Sequence, residues 1–208
     1  MTASPDDPHP GSPHAGGFDA MYAGQPPWDI GRPQAAFAAL ADAGLIRGRV
    51  LDAGCGTGEH VLMCADLGLD ATGVDLAQAA LRAAEEKARA RGLTARFIRQ
   101  DARHLPELGE TFDTVLDCGL FHIPVLTEED RASYVASLRS VLRPGGRYFM
   151  LGFSDREPGT GGPLRLTQDQ IMTAFADGWQ IDSIEPTTIE ITTDPAGVRA
   201  WLVTATRR

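Results

Sequence analysis

From residue 50 onward, short apolar runs alternate with stretches whose apolar residues recur at helical spacing. Val50-Leu51 leads into Asp52 and then the small-residue turn Ala53-Gly54-Cys55-Gly56-Thr57-Gly58, and Glu59 to Leu67 suits a helix. Ala71 to Asp75 is the next strand-like run. Between Ala77 and Arg91, residues Ala77, Ala80, Leu81, Ala84 and Ala88 fall on one stripe with Glu and Arg opposite, the pattern of a helix packed on a sheet by one face. Ala95 to Arg99, ending at Gln100-Asp101, and Phe112 to Asp117 predict two more strands.

The second half continues the alternation. Thr127 with Asp130 three residues later marks a helix start, with Val135, Leu138, Val141 and Leu142 as its apolar face. Arg143-Pro144-Gly145-Gly146 stops that helix, because proline cannot continue it and the Pro-Gly pair suits a turn with positive φ at the glycine. Tyr148 to Phe153 predicts the fifth strand. Thr167 and Gln170 repeat the capping pattern ahead of Ile171, Met172 and Phe175, and Trp179 to Glu190 and Val198 to Thr206 alternate like antiparallel strands. Strand and helix in this order predict an α/β fold on a doubly wound, mostly parallel sheet.

Composition narrows the class. The chain has 208 residues and a net charge of −9, enough for one domain with a six- or seven-stranded sheet. With a pI near 5.0 and no basic cluster beyond Lys87, Arg89 and Arg91, which read as a solvated helix face, nucleic acid is not an expected partner. No apolar run approaches the roughly 18 residues that span a bilayer, so no membrane association is expected. Residues 1–17 are rich in Pro, Gly, Asp and His and read as a disordered leader, in which His9 and His14 lack the further ligands a metal needs. Cys55, Cys64 and Cys118 form no C-x-x-C pair, which fits a reduced, cytoplasmic protein; small size at tight backbone approaches accounts for Cys55 and Cys118 as well as reactivity does. No metal site is expected, and oligomeric state stays open.

The turn at 54–58 carries the chemistry. Its glycines alternate evenly, unlike the G-x-G-x-x-G of dinucleotide sites, and Asp75 lies about twenty positions beyond, where a ribose diol finds an acidic acceptor. Together these residues resemble motif I and the ribose-binding acid of class I S-adenosylmethionine-dependent methyltransferases. The resemblance implies a seven-stranded Rossmann-like sheet in the order 3-2-1-4-5-7-6 with strand 7 antiparallel, covering residues 33 to 208. It implies S-adenosyl-L-methionine as cofactor, with Asp52 near the methionine end, Gly54 and Gly56 at the turn, and Asp75 on the ribose. Asp101 and Ala102 would meet the adenine, Leu76 would pack on its ring, and Cys118 would offer backbone contacts. Each Asp also reads as a helix cap or turn residue, but three at the ends of successive strands favour a ligand, because open α/β sheets bind at that edge.

Tyr22 to Gln34, with Pro26-Pro27-Trp28-Asp29 and Gly31-Arg32, resembles the N-terminal segment that covers cofactor and substrate in thiol, thiopurine and tellurite-resistance methyltransferases. Trp28 is therefore expected at the cofactor and the substrate, or else as a hydrophobic staple on the helix below. Tyr22 and Phe121 are expected to line the acceptor pocket, together with Phe18, although aromatic residues are usually core. His122 is the candidate proton acceptor, with packing or loop capping as its plain reading. The loop Ser154 to Leu166 either closes on substrate or simply connects. The expected organisation is thus the leader at 1–17 and a single domain at 18–208, with 18–45 forming a lid and helix. The expected activity is methyl transfer to an oxygen or sulfur of a small aromatic or heteroaromatic acceptor; within the family the chain most resembles small actinobacterial enzymes acting on heteroaromatic hydroxyls. The alternatives are a nicotinamide-dependent Rossmann oxidoreductase, disfavoured by the glycine spacing, and a non-catalytic S-adenosylmethionine-binding module.

Overall fold

Seven strands form one sheet in the order β3-β2-β1-β4-β5-β7-β6. They are β1 (Arg49–Ala53), β2 (Asp70–Asp75), β3 (Arg96–Arg99), β4 (Phe112–Cys118), β5 (Leu142–Phe153), β6 (Trp179–Ile191) and β7 (Asp194–Arg207). The first five run parallel, while β7 enters antiparallel between β5 and β6. This computed structural model describes residues 15–159 and 162–208. Most of the expected leader, His9 and His14 included, lies outside the described residues, but its last residues belong to helix α1 (Ala15–Met21).

Helix α2 (Ala35–Asp42) precedes β1, and the helices that cross between strands are α3 (Glu59–Asp66), α4 (Gln78–Arg91), α5 (Glu128–Val141) and α6 (Gln168–Ala174), with a 3-10 segment over Ala102–Leu108. Both capping boxes are present: Thr127 and Asp130 begin α5, and Thr167 and Gln170 begin α6. Each satisfies two of the backbone N–H groups that a helix start leaves open. The predicted stripe of α4 is the buried one, with Ala80, Leu81, Ala84 and Ala88 turned to the sheet.

Both sheet faces are covered, so the central strands are apolar on both sides. Tyr148 and Met150 join Val115, Leu138, Phe175 and Trp201 on one face, whereas their neighbours Phe149 and Leu151 join Phe37, Val61 and Leu81 on the other. The largest boundary shift from the sequence reading is at β5. β5 begins at Leu142, because Leu142 already pairs with Phe112 before the ladder shifts register and resumes at Thr114 and Arg147. Pro144-Gly145-Gly146 is therefore an irregularity within a strand, and Gly145 takes the expected positive φ of 77°.

Strand order reverses between β1 and β4, and the C-terminal ends of β1, β2, β3 and β4 open there on one edge of the sheet. Gly58, with φ 84°, turns the chain from β1 into α3, and a Cβ there would lie 2.8 Å from both the Ala84 Cβ and a Phe97 ring carbon. Gly58→Ala is therefore expected to cost about 2–4 kcal/mol, combining left-handed strain with overpacking. A denaturant midpoint unchanged from wild type would show that the crossing is looser than this.

Candidate functional site

All three glycines of the turn adopt positive φ: 74° at Gly54, 51° at Gly56 and 84° at Gly58. The backbone N–H groups of Gly54 and Cys55 both donate to the carbonyl of Val74, which holds the turn against β2. Cys55 is buried against Gly73, where a Cβ would come within 2.7 Å of its sulfur, so the cysteine answers a packing need. Burial pushes its thiol pKa well up, with Asp75 and Asp52 adding to the effect.

Two carboxylates flank this turn in opposite states. Asp75 accepts from the N–H of Gly56 and of Ala77, at 2.8 Å each, leaving a second lone pair on both oxygens. Its pKa is raised, because burial outweighs those donors. Asp52 is 1% exposed, and neither oxygen has a hydrogen-bond partner among the described residues. The nearest cationic candidate is the His60 Nδ1 at 3.6 Å, beyond hydrogen-bond length. A carboxylate left this way in a protein interior costs several kcal/mol unless a charge or donor arrives to meet it.

The segment from Tyr22 to Gln34 lies over the turn. Tyr22 puts its hydroxyl 2.7 Å from where a Gly56 Cβ would be, and that hydroxyl accepts from the Trp28 indole N–H at 3.1 Å. Burial and the nearby Asp75 charge raise the Tyr22 pKa. Trp28 is 45% exposed and meets Tyr22 edge-on, so it does not staple the helix below. Asp29 accepts from the Thr57 hydroxyl at 2.8 Å, which docks the segment on the turn; the Lys87 ammonium donates to the same hydroxyl. At its far end the segment is fastened to β6 by a bidentate Arg32–Glu190 pair and by Gln34, whose amide bonds the Glu190 backbone in both directions.

A cavity of about 470 Å³ runs from the glycine turn, under this segment, to residues 118–126. Of the sequence candidates it brings together Tyr22, Trp28, Gly54, Gly56, Asp75, Leu76, Asp101, Ala102 and Cys118, and Phe18 joins them, whereas Asp52 is buried behind the turn and is not among the lining residues. Asp101 caps the 3-10 segment and accepts from the Arg103 guanidinium; burial acts to raise its pKa, but Arg103 outweighs burial and leaves it lowered. Burial also raises the Cys118 thiol pKa. Gly162 and Pro163 reach the cavity from the loop after β5, which is tied back where Leu164 N–H donates to the His122 carbonyl.

Two candidates are corrected. Phe121 is 2% exposed and packs on Phe175 in the main core, because the turn after β4 points its ring beneath the sheet edge. His122 also lies outside the lining residues, buried against Phe153. Its Nδ1 accepts from the Phe153 backbone N–H at 2.7 Å, so the ring lone pair is in use and the other nitrogen already carries the proton. Burial lowers its pKa to about 4. The plain reading of His122 as a packed loop cap is the one its surroundings match.

Sequence reasoning passed over Asp117 and His60. Asp117 is fully buried and accepts from the hydroxyls of Tyr134 and Tyr148 and from Leu120 N–H, pinning the turn that forms one cavity wall. Burial raises its pKa to about 6 against these donors. Its strand-end position was visible, but tyrosines 17 and 31 residues away leave no local signal. His60 stood next to the glycine turn and looked like an ordinary helix residue.

A family profile described as a methyltransferase domain matches residues 50–146. The chain is 34% identical over 179 residues to a 2-heptyl-1-hydroxyquinolin-4(1H)-one methyltransferase of Mycobacteroides abscessus, covering 84% of this chain and 78% of that protein. It is 29% identical to a probable thiol methyltransferase 2 of Arabidopsis thaliana, over 74% of this chain and 68% of that one. A solved structure described under the conversion of a disulfide bond into a thioacetal group during echinomycin biosynthesis superimposes with a TM-score of 0.84 at 39% identity, covering 93% and 92% of the two chains.

The buried acid and the buried histidine have opposite linkage to pH. Asp117, raised from 3.8 to about 6, contributes stability that is present below pH 4 and lost as pH rises through 6. His122, lowered from 6.5 to about 4, contributes stability that is present above pH 6.5 and lost as pH falls through 4. Between pH 4 and 6 the two offset each other. Relative to wild type, Asp117→Asn should lose stability on acidification and His122→Gln should gain it, each by about 1 kcal/mol per pH unit at most. Parallel unfolding curves for all three proteins across this range would contradict the assignment.

Proposed function

The chain belongs to the S-adenosylmethionine-dependent methyltransferases, and we propose that it methylates an oxygen or sulfur nucleophile on a small aromatic or heteroaromatic molecule. S-adenosylmethionine is its methyl donor and the acceptor is a small molecule. The observation that carries the finer reading is a largely apolar cavity, continuous from the glycine turn to the wall at residues 118–126. Relatives named for a hydroxyquinolinone and for thiols support oxygen or sulfur as the accepting atom. Three free cysteines among the described residues support a reducing, cytoplasmic setting.

The residues fit the donor. The unpartnered Asp52 carboxylate suits the positive charge at the methionine end, the paired oxygens of Asp75 retain lone pairs for a ribose diol, and the glycine turn itself lines the cavity. Leu76, Asp101 and Ala102 would flank the adenine, Gly54, Gly56 and the Cys118 backbone the amino-acid portion, and Tyr22 and Trp28 would cover both. Tyr22 thereby moves from the acceptor to the donor half, since its hydroxyl sits on Gly56.

When bound, the donor supplies a sulfonium methyl group for in-line transfer and leaves a neutral thioether. Most of what the chain must add is position: holding the accepting atom on that line can supply several powers of ten in rate. Its apolar walls exclude water, which favours the neutralisation of charge when an anion meets a sulfonium. The ring lone pairs of His60 and His122 are both taken by backbone N–H groups, from Gln34 and Phe153. This supports an acceptor that enters already ionised, as an acidic hydroxyl or thiol does near neutral pH.

Release of S-adenosylhomocysteine across a panel of phenols, N-hydroxyheterocycles and thiols tests the reading. Turnover should appear with acceptors that ionise below about pH 8, and the pH profile of kcat/KM should follow the acceptor in both the wild type and His122→Gln. A panel in which the donor binds and nothing turns over would instead indicate a binding module. Asp75→Asn should raise the Kd for S-adenosylhomocysteine roughly 10- to 100-fold, the usual worth of a hydrogen bond to a charged group; unchanged binding would place the ribose elsewhere.

A further inference from the structure

Outside the roles assigned above, His60 links the end of the covering segment to the surroundings of Asp52. It stands in the first turn of α3 and lines the cavity, with its side chain 12% exposed. Its Nε2 accepts the backbone N–H of Gln34 at 3.2 Å, so the ring is neutral and its proton sits on Nδ1, the atom that faces Asp52. Phe37 meets the ring edge-on at 4.9 Å and fixes its plane. Gln34 and Phe37 belong to the start of α2, immediately after the covering segment.

Gln34 is itself unusual. It precedes α2 at the N-cap position, yet its side chain makes no cap hydrogen bond to that helix. The amide instead donates to the Glu190 carbonyl at 3.0 Å and accepts from the Glu190 N–H at 2.8 Å, like a further ladder pair on β6. Gln34 is 2% exposed, so these two bonds are shielded from water. The anchor of the covering segment and the unpartnered carboxylate thus lie on opposite ends of one imidazole.

We propose that His60 is a positioning residue that couples the anchoring of the 22–34 segment to the charge state of the methionine end. The inference rests on the assignment of Asp52 to that end. A cation at Asp52 is met by a carboxylate that the Nδ1–H faces at 3.6 Å, a dipole contact rather than a hydrogen bond, and the same ring is held in place by the backbone N–H of Gln34. Loosening the segment releases the imidazole, and releasing the imidazole takes away the N–H dipole that faces the buried Asp52 carboxylate. Closing the segment and filling the methionine end then become one equilibrium, as linked sites require.

Calorimetric binding of S-adenosylhomocysteine to the full chain tests this as a double-mutant cycle. His60→Leu and Gln34→Ala should each weaken binding about tenfold, and the double variant should be no weaker than the weaker single one. His60→Asn keeps a donor at the Nδ1 position and His60→Gln keeps an acceptor at the Nε2 position; both should lose affinity, because each preserves only one end of the link. Hydrogen exchange supplies the readout that a merely structural role would not move: ligand-induced protection of residues 22–34 should be present in the wild type and absent in all three His60 variants at saturating ligand. Additive losses of about a hundredfold in the double variant, or full protection of the segment in His60→Leu, would overturn the coupling. A wild-type chain that binds no S-adenosylhomocysteine would overturn the site assignment beneath it.

Discussion

The structure around the cavity depends on a close approach that no Cβ atom would allow. Gly54 faces Leu120 from the turn after β4, Gly56 faces the Tyr22 hydroxyl from the covering segment, and Gly58 faces Ala84 and Phe97 from α4 and β3. A fourth glycine, Gly73, lets β2 come against Cys55 from behind. Five separate parts of the chain therefore converge on five residues of backbone. Left-handed φ at all three turn glycines bends that backbone back toward β2, where Val74 receives two N–H groups. Side chains at these positions would force the walls apart and remove the surface on which a donor molecule can lie.

Around this convergence the buried acids are satisfied to different degrees, and the differences match their work. Asp117 is filled by two tyrosine hydroxyls and a backbone N–H, which makes it a rigid pin for the cavity wall. Asp101 is filled by Arg103, which also reaches Asp130 at the start of α5. Asp75 is half filled, by backbone donors that orient it. Asp52 has no donor. A fold that gives donors to Asp117, Asp101 and Asp75 and none to the buried Asp52 carries an electrostatic demand at that point. The covering segment responds to the same geometry, because it is tied to the turn through Asp29 and Thr57 and to β6 through Arg32 and Gln34.

Much of this was legible from residue order. The strand and helix alternation, both capping boxes and the stripe of α4 depend on neighbours within about one or two helical turns, and the structure carries them with small boundary shifts. The glycine turn and the acid at Asp75 were legible for a similar reason, since spacing along the chain is itself the constraint. Phe121 and His122 misled because local sequence shows that a strand ends and a turn follows but not which way each turn residue points. Two aromatic rings in adjacent positions went to the core and to the Phe153 backbone.

By itself, then, the sequence determined the sheet class and the place of the turn, because helices, strands and tight bends are set by contacts a few residues apart. Tertiary structure decided which polar groups are left unsatisfied. Asp52, His60, Gln34 and Glu190 form one connected set only because β1, α3, the start of α2 and the end of β6 meet in space, across separations of up to 158 residues within the neighbouring Arg32–Glu190 pair. Whether a buried carboxylate has a partner depends on what arrives from such distances, and no local pattern records it.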